Sequence, residues 1–266
     1  MTWNVVDQWA LVTGASSGIG AEFARQLAAQ GMHLILTARR EDKLQELAQQ
    51  LDQKHKTKTK ILPLDLAADG GSMELIKQVK ALDLPVKLIV NNAGFGTIGA
   101  AEGADLQEMH QMVSLNVTAL TDLTYAFLPE MIGRNDGGII NVASVAGHQP
   151  VAFMGVYSAS KAYVLHFTEA LWAELRNTNI RLQALCPGTT RTEFFDRAGA
   201  SSWLEKRSSH TPEQVVALSL KRLKSNQPVV IPGFGNKFMC FLHRIASRKR
   251  VVIESMRYFR AHGGKT

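Results

Sequence analysis

The stretch Thr13-Gly14-Ala15-Ser16-Ser17-Gly18-Ile19-Gly20 lies between the first predicted strand, residues 9–13, and the first predicted helix, residues 21–30. Glycines at this spacing let the backbone turn sharply and approach a phosphate, which the free N–H groups and the dipole of a helix N-terminus then bind. The pattern G-x-x-x-G-x-G differs from the more familiar G-x-G-x-x-G. A glycine-rich turn that binds nothing is the alternative. The cofactor-binding candidates here are Gly14, Ser16, Ser17, Gly18, Ile19 and Gly20.

Apolar runs and amphipathic segments alternate along the rest of the chain. Further strands are predicted at 33–37, 60–63, 87–91, 138–142, 181–185 and 229–231, and further helices at 41–53, 72–81, 109–131, 157–176 and 213–224. Short, continuous apolar runs are typical of strands covered on both faces. The pattern predicts a single α/β domain with a doubly wound (Rossmann) parallel sheet of about seven strands, helices on both faces, and ligands at the carboxyl ends of the strands. We divide it into a dinucleotide-binding and catalytic body, 1–236, and a basic C-terminal extension, 237–266.

Charge is distributed unevenly over the 266 residues, whose formal net charge is +7. From Lys237 onward there are eight Lys and Arg and one acid, whereas the preceding 236 residues hold 22 basic and 22 acidic groups. A neutral body argues against a nucleic-acid partner. Two cysteines and no Cys/His cluster of metal-ligand spacing predict neither disulfides nor a metal site. With no secretory signal or membrane-spanning run in the sequence, we expect a cytoplasmic protein.

Two arginines follow the second predicted strand, in Thr37-Ala38-Arg39-Arg40. At this position NAD sites place a carboxylate for the ribose 2′-hydroxyl, whereas NADP sites place arginine for the 2′-phosphate. Guanidinium groups bind phosphate through paired, charge-assisted hydrogen bonds, and this segment contains no acid to repel it. Arg39 and Arg40 therefore predict NADP(H). Their alternative role is that of solvated residues at a helix start.

Tyr157 and Lys161 lie four positions apart in a predicted helix and so share one face, while Ser144 closes the strand Asn141-Val142-Ala143-Ser144. A phenol with its usual pKa near 10 is a poor base, and lowering that pKa to about 7 needs roughly 4 kcal/mol, which a nearby ammonium and an oxidised nicotinamide are expected to supply. Tyr157 would exchange a proton with a carbonyl or alcohol oxygen that Ser144 orients. A lone Tyr-x-x-x-Lys pair can also be a surface tyrosine beside a snorkelling lysine.

Together these motifs resemble the short-chain dehydrogenase/reductase family over nearly the whole chain. The matching pieces, in order, are 13–20, Asp65-Leu66, Asn91-Asn92-Ala93-Gly94, Asn116, Ser144, Tyr157-x-x-x-Lys161 and Pro187-Gly188 with Thr192. The resemblance implies an oxidoreductase that transfers hydride between NADP(H) and a carbonyl or secondary alcohol.

The resemblance also implies individual roles. Asp65 and Leu66 would contact adenine, Asn92, Ala93 and Gly94 the adenosine side, and Lys161 the nicotinamide ribose. Asn116 would hold a water that connects Lys161 to solvent. Backbone at Pro187, Gly188 and Thr190, with the Thr192 hydroxyl, would anchor the carboxamide. The family further implies a homodimer or homotetramer formed through helices 109–131 and 157–176.

Substrate-facing residues are expected after the fourth and fifth strands, in the segment 192–209 and at the C-terminus. Apolar residues dominate there, which favours a hydrophobic or chain-like substrate, although core or lid packing explains them equally well. The substrate-binding candidates are Ser144, Tyr157, Phe95 and Phe153, with Val151, Met154, Phe194, Phe195 and Trp203 as further apolar neighbours and His148 and Gln149 as polar ones.

The tail mixes apolar residues of roughly helical spacing with basic ones between 238 and 259. Such a segment either packs against the body or a neighbouring subunit, or makes peripheral contact with an anionic membrane. Two non-enzymatic functions remain as alternatives, namely an NADPH-binding redox sensor and a membrane-surface scaffold without turnover.

Overall fold

The computed structural model of the chain describes residues 3–194 and 209–261. Seven strands form one sheet, and their order is β3-β2-β1-β4-β5-β6-β7. All six neighbouring pairs are parallel. The strands are β1 (Trp9–Thr13), β2 (His33–Ala38), β3 (Thr59–Pro63), β4 (Val86–Asn91), β5 (Gly137–Val142), β6 (Ile180–Leu185) and β7 (Val229–Val230).

The helices lie on both faces of the sheet and, with the strands, form the predicted Rossmann-like single domain. They are α1 (Gly18–Ala29), α2 (Glu41–His55), α3 (Gly71–Ala81), α4 (Leu106–Val113), α5 (Leu120–Gly133), α6 (Gly155–Leu175), α7 (Pro212–Leu223), α8 (Phe234–Ile245) and α9 (Arg248–Ala261). None of the helices within the described residues is long and apolar enough to cross a membrane.

Strand side chains alternate between two hydrophobic cores. In β1, Ala10 and Val12 join the core under α1, α2 and α7. Trp9 and Leu11 join the opposite core, under α3, α5 and α6. Since successive side chains of a strand point to opposite faces, a continuous apolar run serves both cores. The strand order reverses between β1 and β4, so a crevice opens at their carboxyl ends.

The predicted helix 109–131 is interrupted. A π-helical turn, Ser114–Ala119, separates α4 from α5. A π turn inserts an extra residue into helical hydrogen bonding, and such turns occur often at functional sites. This one carries Asn116, which is 1% exposed.

The tail forms two helices rather than one. Ala246 is extended, with φ −78° and ψ 149°, and ends α8. Ser247 directly precedes α9, and its hydroxyl accepts a hydrogen bond from the Arg250 N–H at 3.4 Å. Helix α8 begins at Phe234, three residues before the boundary that we predicted between body and extension.

Candidate active site

The glycine-rich turn has space only for glycine at two of its positions. Gly14 has φ +65°, and a Cβ there would lie 2.8 Å from Asn92 Nδ2. A Cβ on Gly20 would clash with the Gly14 carbonyl oxygen. No side chain of the described residues caps the N-terminus of α1, at Ser17. The cradle and the uncapped helix end fit a phosphate group bound to backbone N–H groups.

Thr13 joins this turn to the loop after β4. Its hydroxyl oxygen accepts hydrogen bonds from the N–H groups of Asn92 and Ala93, both at 2.9 Å. In return, the Asn92 amide donates to the carbonyls of Thr13, at 2.9 Å, and Gly14, at 3.2 Å. The two sides of the crevice are therefore fixed relative to each other. Thr13 was absent from the candidates, although its place at the end of β1 is a usable sequence signal.

Arg39 and Arg40 both line the crevice, and each has an acid beside it. Arg39 Nη1 lies 3.8 Å from Asp65 Oδ2, and Arg40 Nη2 lies 2.9 Å from Glu193 Oε2. Arg40 also donates to Ser16 Oγ at 3.1 Å. We expected no acid near these arginines. The segment 37–40 contains none, but the fold brings Asp65 and Glu193 next to them. These pairs are solvent-exposed, and exposed ion pairs contribute little, so they do not prevent phosphate binding.

Ser144, Tyr157 and Lys161 meet at the carboxyl end of β5. Ser144 follows that strand, and its hydroxyl accepts a hydrogen bond from the Ala146 N–H at 3.1 Å. Lys161 Nζ lies 5.8 Å from the centroid of the Tyr157 ring and donates to the Val142 carbonyl at 2.8 Å. Tyr157 is 8% exposed and Lys161 is 5% exposed. The helical pair is thus part of the protein interior rather than a surface pair.

Asn116 lies beneath this group and is bonded to its surroundings through both side-chain polar atoms. Its Oδ1 accepts from the Phe95 N–H at 3.1 Å. Its Nδ2 donates to the Phe95 carbonyl at 2.9 Å and to Ser160 Oγ at 3.1 Å. Asn116 therefore links the loop after β4 to α6, the helix of Tyr157. The water relay implied for it stays a prediction.

Burial dominates the proton affinities at this site. It raises the pKa of Tyr157 to about 12, against the opposite effect of a hydrogen bond from Ser144. Burial also lowers the pKa of Lys161 to about 8. The sequence argument expected the ammonium to lower the phenol pKa. Desolvation of the phenolate by burial is instead the largest effect on this pKa, and it acts in the opposite direction.

One cavity of about 860 Å³ runs through the crevice. It is lined by all predicted cofactor-binding residues except Gly20, and by Ser144 and Phe95. Gly20 packs against Gly14, Asn116 lies behind Phe95, and neither is among the described residues that line the cavity. The lining candidates are Gly14, Ser16, Ser17, Gly18, Ile19, Arg39, Arg40, Asp65, Leu66, Asn92, Ala93, Gly94, Ser144, Tyr157, Lys161, Pro187, Gly188, Thr190 and Thr192.

At the other end, the cavity is walled by apolar residues of the body and by the tail. Phe95, Val151, Met154 and Phe194 are among the body residues, and Gln149 adds a polar group. From α8 and α9, the lining includes Met239, Leu242, His243, Ala246, Arg250, Val251, Glu254, Ser255, Tyr258 and Phe259. The sequence indicated that the C-terminus would contribute, but not which residues.

Phe153 is not among the described residues that line the cavity. Its backbone has φ +63°, which is unusual for a residue other than glycine, and its ring lies 6.4 Å from that of Phe259. His148 is also outside the lining, and burial lowers its pKa. The candidates Phe195 and Trp203 lie outside the described residues.

Comparisons with known proteins identify the family of the chain. Residues 8–202 match the family model described as short chain dehydrogenase. The chain is 39% identical to sulfoacetaldehyde reductase 2 of Chromohalobacter salexigens, over 69% of this chain and 73% of that protein. It is 32% identical to very-long-chain 3-oxoacyl-CoA reductase-B of Danio rerio, over 73% of this chain but only 63% of that protein, less than two thirds of its length.

Solved structures of the same family have a similar fold. A short-chain dehydrogenase from Sphingobium yanoikuyae, solved in complex with NADPH, superposes with a TM-score of 0.81 at 32% identity, covering 85% of this chain and 88% of that one. The chain belongs to the short-chain dehydrogenase/reductase family of oxidoreductases.

Proposed function

We propose that this protein is an NADP(H)-dependent oxidoreductase that interconverts a hydrophobic or chain-like carbonyl compound and its secondary alcohol. The observation that carries the proposal is one continuous cavity. It is lined by the glycine-rich turn and Arg39, by Ser144, Tyr157 and Lys161, and by apolar residues of the body and of the tail. A nucleotide, a proton donor and an apolar substrate can therefore be held side by side.

NADP(H) is supported by the residues at the end of β2. Arg39 and Arg40 offer guanidinium groups where a 2′-phosphate would lie, and Ser16 adds a hydroxyl beside Arg40. The Sphingobium relative was solved with NADPH. When bound, NADPH would supply the hydride. The turn 14–20 would hold its phosphates, and Lys161 its nicotinamide ribose.

Tyr157 would deliver the proton in reduction. Its pKa of about 12 keeps the phenol protonated at neutral pH, as a general acid must be. Ser144, which hydrogen-bonds to Tyr157, would donate to the same substrate oxygen and orient it. Lys161 would restore the proton of Tyr157, and Asn116 would position Phe95 and α6 around it.

The apolar end supports the substrate class. Phe95, Val151 and Phe194 from the body line the same cavity as Met239, Leu242, Val251 and Phe259 from the tail, with His243, Arg250 and Glu254 as its polar tail residues. Both curated relatives described above have names that denote carbonyl reductases, and the Danio rerio protein is named for a very long acyl chain. Burial of such a chain is favourable by about 0.8 kcal/mol per CH₂.

Turnover without Tyr157 tests the reaction. Purified protein is screened for NADPH oxidation with aldehydes, ketones, 3-oxo esters and steroids. We expect Tyr157→Phe to lower kcat by about 10²- to 10⁴-fold, the usual contribution of general acid catalysis, with little change in the Kd for NADPH. The control is Tyr163→Phe. Tyr163 lies on α6 with Tyr157, and its exposed hydroxyl is 3.0 Å from Thr121 Oγ1 of α5. Retained NADPH binding without turnover of any carbonyl by the wild type would instead favour a redox sensor.

The cofactor is tested at Arg39. Charge-assisted hydrogen bonds are worth about 1.5–3 kcal/mol, so Arg39→Ala should raise the KM for NADPH by about 10- to 100-fold. The KM for NADH should change less than about twofold, because NADH lacks the 2′-phosphate. Lys43→Ala, which removes an exposed cation of α2 paired with Glu46, is the control. Equal effects of Arg39→Ala on both cofactors would contradict the assignment.

We also propose self-association through α5 and α6. These helices expose large apolar side chains, with Tyr125 54%, Ile132 45% and Tyr163 40% exposed. Tyr125 and Tyr163 both pack their rings on Phe167. A homodimer or homotetramer would bury this surface, and the mass of the protein in solution, measured by light scattering, tests it.

A further inference from the structure

Helix α8 carries an exposed apolar stripe. Phe234 is 84% exposed, Phe238 53%, Phe241 58% and Ile245 68%. Their spacing of four, three and four residues places them on one face of the helix. Large apolar side chains grouped in this way mark a contact surface, whereas single exposed ones do not.

The other face of α8 already has its contacts. Cys240 is 3% exposed, and Met239 and His243 line the cavity. The Asn236 side chain donates to the Pro232 carbonyl at 2.7 Å. Packing of the tail against the body, one alternative left by the sequence, thus accounts for this face. It does not account for the stripe, which no part of the described chain covers.

Cations accompany the stripe. Lys237, Arg244, Arg248 and Lys249 are exposed, and no acid occurs between Phe234 and Ile253. Lys237 and Arg244 are seven residues apart, so they lie one above the other along one edge of the stripe. Arg248 and Lys249 follow at the start of α9.

We propose that this stripe docks the protein on an anionic lipid surface, with α8 lying in the plane of the membrane interface. An amphipathic helix with aromatic residues on one face and basic residues beside them binds such surfaces through apolar burial and attraction to acidic headgroups. In a twofold contact with a second copy, the same patch would meet itself and bring like charges together. Charge complementarity therefore favours an anionic surface over self-association here.

Flotation of the full-length protein with lipid vesicles tests this docking, whatever reaction the protein catalyses. One vesicle type is pure phosphatidylcholine, and the other contains about 30% phosphatidylglycerol. We expect binding to the anionic vesicles, and weaker binding when NaCl rises from about 0.1 M to about 0.5 M, because salt screens the attraction. Failure of the wild-type protein to bind either vesicle would overturn the proposal.

Two double variants test the stripe and its cations separately. F238Q/F241Q should lower the vesicle partition coefficient about tenfold or more, whereas M73Q/L106Q, which replaces exposed apolar residues of α3 and α4, should not. K237Q/R244Q should remove most of the preference for anionic lipid, whereas K54Q/K77Q changes the net charge equally and should not. Circular dichroism verifies folding.

Vesicle binding is the readout for both double variants, and no substrate is needed. The four substituted positions, 237, 238, 241 and 244, are not among the described residues that line the cavity, so cofactor and substrate binding should be unaffected. Unchanged partition of both F238Q/F241Q and K237Q/R244Q would exclude this face as the membrane contact. Light scattering tests the alternative that a second copy of the chain binds the stripe. If the wild type is an oligomer that F238Q/F241Q converts to a smaller species, the stripe joins two copies and the lipid proposal is wrong.

Discussion

Tyr157 shows how burial sets the chemistry of a single residue. The ring packs against Phe194, with 5.4 Å between centroids, and its hydroxyl hydrogen-bonds with Ser144. Sequence reasoning found the residue from its spacing to Lys161, because a four-residue separation on a helix fixes a shared face. It could not find the direction of the pKa shift, because desolvation depends on residues such as Phe194 that are distant in sequence.

Because of its raised pKa, Tyr157 should not ionise in a spectroscopic titration that ends near pH 11. The chain has four tyrosines, so one with an ordinary pKa would supply about a quarter of the absorbance change of tyrosine ionisation. With a pKa of about 12, Tyr157 should add almost nothing below about pH 11. Wild type and Tyr157→Phe should then give equal amplitudes between about pH 9 and pH 11. A wild-type amplitude larger by one tyrosine would contradict the burial argument.

The raised pKa of Tyr157 also determines how the free energy of unfolding changes at alkaline pH. Above about pH 10 an unfolded chain loses the phenol proton, whereas folded Tyr157 keeps it up to about pH 12. The folded state then binds more protons, so the free energy of unfolding falls as pH rises through this window. Tyr157→Phe should lack this part of the decline in denaturant titrations at alkaline pH.

At the scale of elements, strands were easier to predict than helix irregularities. The predicted strand 9–13 coincides with β1, and each of the other predicted strands differs from the observed one by a single residue, because each is a short apolar run between turn signals. The π turn at Ser114–Ala119 escaped prediction, because its residues fit the helical pattern on either side. The divided tail also escaped, since apolar spacing continues across Ala246 and Ser247.

Asn116 ties the π turn to the site, and its removal should be costly. Asn116→Ala would remove three buried side-chain hydrogen bonds, to the Phe95 N–H, the Phe95 carbonyl and Ser160 Oγ, each worth about 0.5–1.5 kcal/mol. We therefore expect the free energy of unfolding to fall by about 2–4 kcal/mol in urea titrations. Thr118→Ala, an exposed position of the same turn, should change it by less than about 0.5 kcal/mol. Equal stability of the two variants would show that water replaces the lost bonds.

At the scale of the whole molecule, the cavity is formed by parts of the chain that are far apart in sequence. The tail contacts the segment after Ser144, where the Ala152 N–H donates to Ser255 Oγ at 3.1 Å. Motif order predicted that the candidate cofactor-binding residues would meet, and all of them except Gly20 line one cavity, because each motif follows a strand and parallel strands end at one edge. The tail residues, the Arg40–Glu193 pair and the position of Phe153 depend on tertiary packing, and no local pattern indicates them.

If α8 and α9 wall the substrate end, enlarging a small residue there should exclude long substrates. Ala246 lines the cavity at the junction of the two helices, and Ala246→Phe adds an aromatic ring at that point. We expect the KM for a long-chain ketone to rise about tenfold or more, because overpacking typically costs 1–3 kcal/mol. The KM for a short, water-soluble ketone and the Kd for NADPH should change less than about twofold, because neither ligand needs this end of the cavity.

The neighbouring Ile245 offers a matched control, because it is 68% exposed and outside the described lining. Ile245→Phe adds a ring to the same turn but on the outer surface, so both ketones should keep their KM values. Steady-state kinetics with the two ketones and fluorescence titration with NADPH give all the required constants. If Ala246→Phe raised the KM of both ketones equally, the tail would lie over the reacting centre instead of over the chain-binding end. An unchanged KM for the long ketone would remove the tail from the substrate site altogether.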